Sequence, residues 1–167
     1  GLVAPREFQA AQRILLAPTR SDRGGSILIA RQSSDAAMLG YATGVRTSEA
    51  TNRQLRDLVV DGHEASLLVR RNALGTVKTR RATRCISLCG WIGPAEIERI
   101  AADATAMMRA GQSVRPLFPD ADQPEFAVSS DVLSSFIGRA LRAATGEPDA
   151  RNYWLRHTSA SMELLLL

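Results

Sequence analysis

Arg46 and Arg156 are the residues of this 167-residue chain whose surroundings most suggest chemistry. Arg46 stands in Thr43-Gly44-Val45-Arg46-Thr47-Ser48-Glu49-Ala50, a junction between two expected helices. At such a junction a side chain can be aimed into a cleft and braced by a nearby carboxylate; the plainer alternative is a surface arginine paired with Glu49 at i+3. Arg156 stands in Tyr153-Trp154-Leu155-Arg156-His157-Thr158-Ser159-Ala160, at the opening of an apolar helix. A cation there opposes the helix dipole, so the segment is either a solvated first turn or the neighbour of an anion. Between the two lies Val77-Lys78-Thr79-Arg80-Arg81-Ala82-Thr83-Arg84. Its cations, set on a hairpin, could follow a phosphate backbone or deter edge-to-edge sheet aggregation.

The elements that must position these residues follow from periodicity and punctuation. Pro5, then Phe8, Ile14, Leu15 and Leu16, predict a first helix that Pro18 and the stretch from Ser21 to Gly25 bring to an end. From Ser26 to Tyr41 the apolar positions read as a mostly buried helix, with Gln32 to Asp35 as a possible interruption and Thr43-Gly44 as its close. Ser48 to Thr51 reads as a short helix. Ala65 to Arg71 and Thr83 to Leu88 are strand-like around a turn at Asn72 to Gly75, a hairpin or the edge of a small sheet. Pro94 opens a helix carrying Ile97, Ile100, Ala104 and Met107, and Gly111 ends it. Ser130-Asp131 starts another, which Gly146-Glu147-Pro148 breaks, and Tyr153 to Leu167 is helical in composition. Helices, a small antiparallel sheet, then helices make a mostly helical α+β arrangement rather than alternating βαβ, without internal repeats.

Composition bounds the rest. With 45% hydrophobic and 23% charged residues the chain is an ordinary globular protein, neither disordered nor fibrous. Its length suits one domain that buries roughly 70% of its unfolded surface, so no structural metal is needed. A formal charge of +4 allows a polyanionic partner without requiring one. No run of about 18 apolar residues occurs and the opening Gly-Leu-Val-Ala-Pro-Arg is no signal peptide, so the expectation is a cytoplasmic protein without a membrane. The opening Gly1 and the closing Leu164 to Leu167 read as the ends of a fragment. Cys85 and Cys89, spaced C-x3-C with neither histidine near, match no common zinc pattern. Strand alternation would put both on one face as buried or half-buried reduced thiols. Tyr41 reads as a core residue.

Three stations together resemble one family. Tyr41-Ala42-Thr43-Gly44-Val45-Arg46-Thr47-Ser48-Glu49-Ala50 is similar to the first arginine box, T-G-x-R-x-S-E, of the tyrosine recombinases or phage integrases. Leu155-Arg156-His157-Thr158-Ser159-Ala160-Ser161 resembles their second box, H-x-L-R-H-T-x-A-T, and Lys78-Thr79 followed by Arg84 to Leu88 resembles their hairpin lysine and the strand after it. The resemblance runs in order from Tyr41 to about Leu166. It implies the catalytic domain of an enzyme that breaks and rejoins double-stranded DNA through a 3′-phosphotyrosyl link, with no metal and no cofactor. It further implies a DNA-associated protein whose complete form assembles with itself on DNA. Arg46 and Arg156 would clamp the non-bridging oxygens of the attacked phosphate, and Lys78 would protonate the departing 5′-oxygen. Glu49 would orient Arg46 or support it, and Arg80, Arg81 and Arg84 would touch phosphates. His157 would brace its helix.

The departures are specific. Tyr153 stands where the second box usually has histidine, and a phenol can donate to phosphate but is a poor base near neutral pH. The later histidine or tryptophan and the nucleophilic tyrosine of the family are expected beyond Leu167, and its separate N-terminal DNA-clamp domain before this chain. Residues 1–167 are therefore read as one partial catalytic domain, expected not to cleave DNA alone. The alternative is a non-catalytic DNA-binding or regulatory remnant of the same fold.

Overall fold

The computed structural model describes residues 1–17, 24–61, 64–75, 83–90 and 92–165. The chain divides into two compact units, Gly1–Thr47 with Ser129–Leu167, and Ser48–Val128.

The first unit is helical. Helix α1 (Pro5–Leu16) has proline at its first turn, and the Ala4 N–H donates to Glu7 Oε2 at 2.7 Å. Helix α2 spans Gly24–Thr43, helix α5 Ser130–Thr145 and helix α6 Tyr153–Leu165. Ser129 caps α5 by accepting from the Asp131 N–H, and Gly146, where the sequence breaks the helix, ends it in the left-handed conformation at φ +75°. Helix α1 packs on α5 and α2, and α2 packs on α5 and α6. Leu15, Leu39, Leu133, Ile137, Leu141 and Leu155 lie buried between them.

The possible interruption of α2 at Gln32 to Asp35 does not occur. Gln32, Ser33 and Ser34 are buried in a continuous helix, where Gln12 Nε2 donates to the Ser34 carbonyl at 3.0 Å and Ser34 Oγ donates to Gln12 Oε1. Helical backbone bonds replace the water that a loop would have offered the main chain, and Gln12 on α1 serves Ser34; Ser33 Oγ is buried without a hydrogen-bond partner among the described residues. Tyr41 is half-buried, stacked on Phe8 with centroids 4.1 Å apart. Its hydroxyl is buried without a hydrogen-bond partner among the described residues.

The second unit holds the sheet. After helix α3 (Thr47–Thr51) and a single 3-10 turn (Leu55–Asp57), strands β1 (Leu58–Asp61), β2 (Glu64–Val69) and β3 (Arg84–Ser87) form an antiparallel sheet in the order β1-β2-β3. The register sets Leu58 opposite Leu67 and Leu67 opposite Ile86. Alternate residues Ala65, Leu67 and Val69 of β2 are buried, the period-2 pattern of a sheet with one covered face. Helix α4 (Pro94–Arg109) packs on β1 and the 3-10 turn. Among the described helices none is long and apolar enough to cross a membrane.

The cysteines do not share a strand face. Cys85 pairs with Leu68, on the side of the sheet opposite the buried row, and is exposed. Pairing stops at Ser87, so Cys89 lies beyond β3, half-buried, with its sulfur accepting from the Ala65 N–H at 3.3 Å. Alternation fails because the strand ends before the second thiol.

Burial raises the Tyr41 pKa above its ordinary value, and the Glu7 carboxylate adds to the rise. The folded state thus favours the neutral phenol, and that stability is present below about pH 10 and lost as pH climbs above it. Tyr41→Phe removes an unpartnered hydroxyl and should stabilise the chain by about 1 kcal/mol. Thermal melts should show the gain at pH 7 and a shallower alkaline decline; a lower Tm would mean that the hydroxyl is satisfied.

Candidate nucleic-acid and phosphoryl-transfer site

The first arginine box begins where α2 ends. The Gly44 N–H donates to the Gly40 carbonyl at 3.0 Å, and Gly44 then takes φ +67°. That left-handed residue turns the chain so that Val45 is buried and Arg46 is exposed before α3 starts. Space is tight there as well. A Cβ here would lie 3.3 Å from Ser159 Oγ and 3.9 Å from Arg156 Cγ. Helix α6 therefore lies directly against the turn.

The second box meets the first at this turn. Arg156 Nη1 donates to the Gly44 carbonyl at 2.8 Å across a sequence separation of 112 residues. A second tie comes from Asn152, whose Nδ2 donates to Thr47 Oγ1 at 2.9 Å and to Ser134 Oγ at 2.7 Å. Sequence reasoning passed over Asn152. Its one available signal was position, a helix-capping residue type immediately before α6, although here its side chain serves other elements. Thr158 and Ser159, the polar residues of the box, are buried, with Thr158 Oγ1 accepting from the Val3 N–H at 2.8 Å.

Tyr153, in the place of the usual histidine, is 54% exposed. Its ring meets that of His157 edge-on, with centroids 4.4 Å apart. His157 is exposed and keeps that contact along one helical turn.

In the second unit Glu49 and Arg84 meet. Arg84 Nη2 lies 3.1 Å from Glu49 Oε2 and Nη1 lies 3.4 Å from Oε1, a two-pronged pair at the entry of β3. The acid of the first box is thus engaged by the arginine that follows the basic connection. Lys78, Arg80 and Arg81 lie outside the described residues. A groove of about 930 Å³ beside α4, lined by Val60, Ile92, Ile97 and Ala101 among others, contains none of the candidate residues. No cluster of metal-ligating side chains occurs among the described residues.

Neither a family model nor a curated protein sequence matches the chain. Solved structures do. The chain aligns over 99% of its length, at 14% identity and a TM-score of 0.67, with the XerH site-specific recombinase bound to difH substrate in a pre-cleavage complex. It aligns over 96%, at 15% identity and a TM-score of 0.64, with XerH bound to a palindromic difH substrate in a post-cleavage complex. The chain spans 43% and 41% of those two chains. The fold is that of a tyrosine recombinase. The particular likeness is to the XerH site-specific recombinase, solved on its DNA substrate.

Gly44→Ala puts an L-residue in the left-handed region and a methyl group against Ser159. The substitution should cost about 1–2 kcal/mol in denaturant unfolding. A neutral result would mean that the turn relaxes freely and does not set the position of Arg46.

Proposed function

We propose that the chain carries the phosphate-activating part of a site-specific DNA recombinase. The observation that carries the reading is the Arg156–Gly44 bond, which brings the two arginine boxes together at one turn. The resemblance of both boxes to those of tyrosine recombinases and the likeness to DNA-bound XerH support it. The partner is double-stranded DNA, on which copies of the complete protein assemble.

In the proposed reaction a tyrosine hydroxyl, expected beyond Leu167, gives its proton to solvent as its oxygen attacks phosphorus and displaces the 5′-oxygen, leaving a 3′-phosphotyrosyl bond. Negative charge gathers on the non-bridging oxygens, and Arg46 and Arg156 hold it with permanently charged, planar donors. Lys78 delivers the proton that the 5′-oxygen needs; an arginine does not surrender one readily. Tyr153 donates a hydrogen bond to the phosphate where its relatives use histidine. Glu49 acts from behind, paired with Arg84. Arg80 and Arg81 follow the backbone of the duplex. No metal or cofactor enters this sequence of steps.

The test uses the complete natural protein and a plasmid carrying its flanking DNA. Wild type should form a covalent protein–DNA adduct that resists detergent and yields to protease. Arg46→Ala and Arg156→Ala should each lower adduct formation by about 100-fold or more. Duplex affinity should change much less, because the clamp acts mainly in the transition state. Equal losses in both would overturn the clamp. Salt-sensitive duplex binding with no adduct from wild type would establish the non-catalytic remnant instead.

A further inference from the structure

The first arginine box is fastened to α6 at two points, one on each side of Arg46. Gly44, two residues before it, gives its carbonyl to Arg156 Nη1 at 2.8 Å. Thr47, the residue after it and the first of α3, accepts through Oγ1 from Asn152 Nδ2 at 2.9 Å. Asn152 and Arg156 stand four residues apart where α6 begins, a spacing that sets two side chains on one face of a helix. That face therefore grips the turn both before and after Arg46. Between the two grips Val45 is buried and Arg46 is exposed.

An asparagine at a helix start commonly turns its side chain back onto its own first turn. The Asn152 carbonyl does accept from the Leu155 N–H at 3.1 Å, but its side-chain amide reaches away from the helix. One hydrogen of Nδ2 goes to Thr47 Oγ1 and the other to Ser134 Oγ on α5, at 2.7 Å. The start of α6 is thus joined to the residue after Arg46, and both are braced on α5. A hydrogen bond on one side of a residue leaves the turn able to swing about it. Bonds on both sides fix where the side chain between them starts. That start matters for a guanidinium that must meet the same phosphate as Arg156, since a misplacement of about 1 Å can cost about 100-fold in rate.

We infer that Asn152 is a positioning residue for the phosphate clamp: by holding Thr47 while Arg156 holds Gly44, it sets Arg46 against Arg156. The inference rests on the proposed role of the two arginines at the attacked phosphate. Asn152 touches no reacting atom in this scheme, and its effect passes through Arg46.

The experiment measures single-turnover adduct formation, duplex affinity and Tm for variants of the complete protein, each shown by its melt to be folded at the assay temperature. Asn152→Ala should slow adduct formation by about 10–100-fold while duplex affinity changes much less. Thr47→Val keeps nearly the shape of threonine but removes the accepting hydroxyl, and should give the same defect. Thr47→Ser keeps that hydroxyl and should retain most of the rate. Ser134→Ala breaks the brace to α5 and leaves the tie to Thr47, so its effect should fall on Tm rather than on the rate. A double-mutant cycle then tests the route: added to Arg46→Ala, which already lacks the group being aimed, Asn152→Ala should slow adduct formation no further. The inference falls and the reading stands if Asn152→Ala or Thr47→Val forms adduct at the wild-type rate, or if their affinity falls as far as their rate. The same holds if the effects in the cycle multiply, or if Ser134→Ala is as slow as Thr47→Val. If wild type forms no adduct, or Arg46→Ala loses affinity as much as rate, both fall.

Discussion

A guanidinium removed from water must find its partners inside the protein, and Arg53 imposes that requirement on the whole of the second unit. The side chain cannot be neutralised within the ordinary pH range, so its burial has to be met by acceptors rather than by proton loss. Burial lowers its pKa, and the carboxylates of Asp57 and Glu49 act in the opposite direction. The acceptors come from places that the chain would not otherwise bring together: the carbonyl of Glu49 in the last turn of α3 and those of Leu68 and Arg70 at the end of β2. The Arg53 carbonyl in turn accepts from the Leu117 N–H at 2.8 Å. One residue thus fixes the end of a helix, the end of a strand and a returning loop. Loss of one partner of such a buried pair costs about 3–5 kcal/mol, whereas an exposed pair contributes about 0–1 kcal/mol.

The first unit solves a different problem with different means. There the need is to expose one cation beside a buried residue without loosening the helix that leads to it. A left-handed glycine does this in a single position, and the carbonyl freed at the turn becomes the acceptor for Arg156. The bond serves both boxes. It satisfies an orphaned carbonyl and engages one nitrogen of a planar, many-donor guanidinium. Asn152 adds a neutral tie from the start of α6 to Thr47 and to α5. The two boxes are thereby related by hydrogen bonds within one unit, independent of how far apart they stand in sequence.

What could be read from the sequence divides along physical lines. Helices α1, α4 and α5 were legible because their signals are local: Pro5 and Pro94 at first turns, Gly111 and Gly146 at the stops, apolar residues at helical spacing. The continuity of α2 was not, because Gln32, Ser33 and Ser34 look like solvent residues and are hidden only by the packing of other helices. Strand β1 was missed for a related reason. Leu58 is buried while Val59, Val60 and Asp61 are exposed, so no period-2 signal exists to find. The arginine boxes were legible as motifs, and Gly44 as a helix stop. Arg53 and Asp57 were not, since a charged residue in a polar stretch reads as surface until tertiary structure shows what closes over it.

The contrast between a TM-score of 0.67 and an identity of 14% has the same origin. Core positions such as Leu133, Ile137 and Leu141 demand only apolar side chains of suitable volume, and such residues exchange freely without changing the fold. Few positions demand one residue type. Gly44 is one, because its dihedral angle strains any side chain, and the 3.3 Å approach of Ser159 Oγ adds crowding. Arg156 is another, because a lysine could not bond the Gly44 carbonyl and still present a planar set of donors. The second box departs from its usual pattern at Tyr153, a position that is half open and meets the His157 ring edge-on. A site of that kind tolerates exchange of one hydrogen-bond donor for another, while its packed and bonded neighbours do not. The constraint therefore lies in the Gly44 turn and the Arg156 bond that closes on it, and the variation falls on the exposed Tyr153.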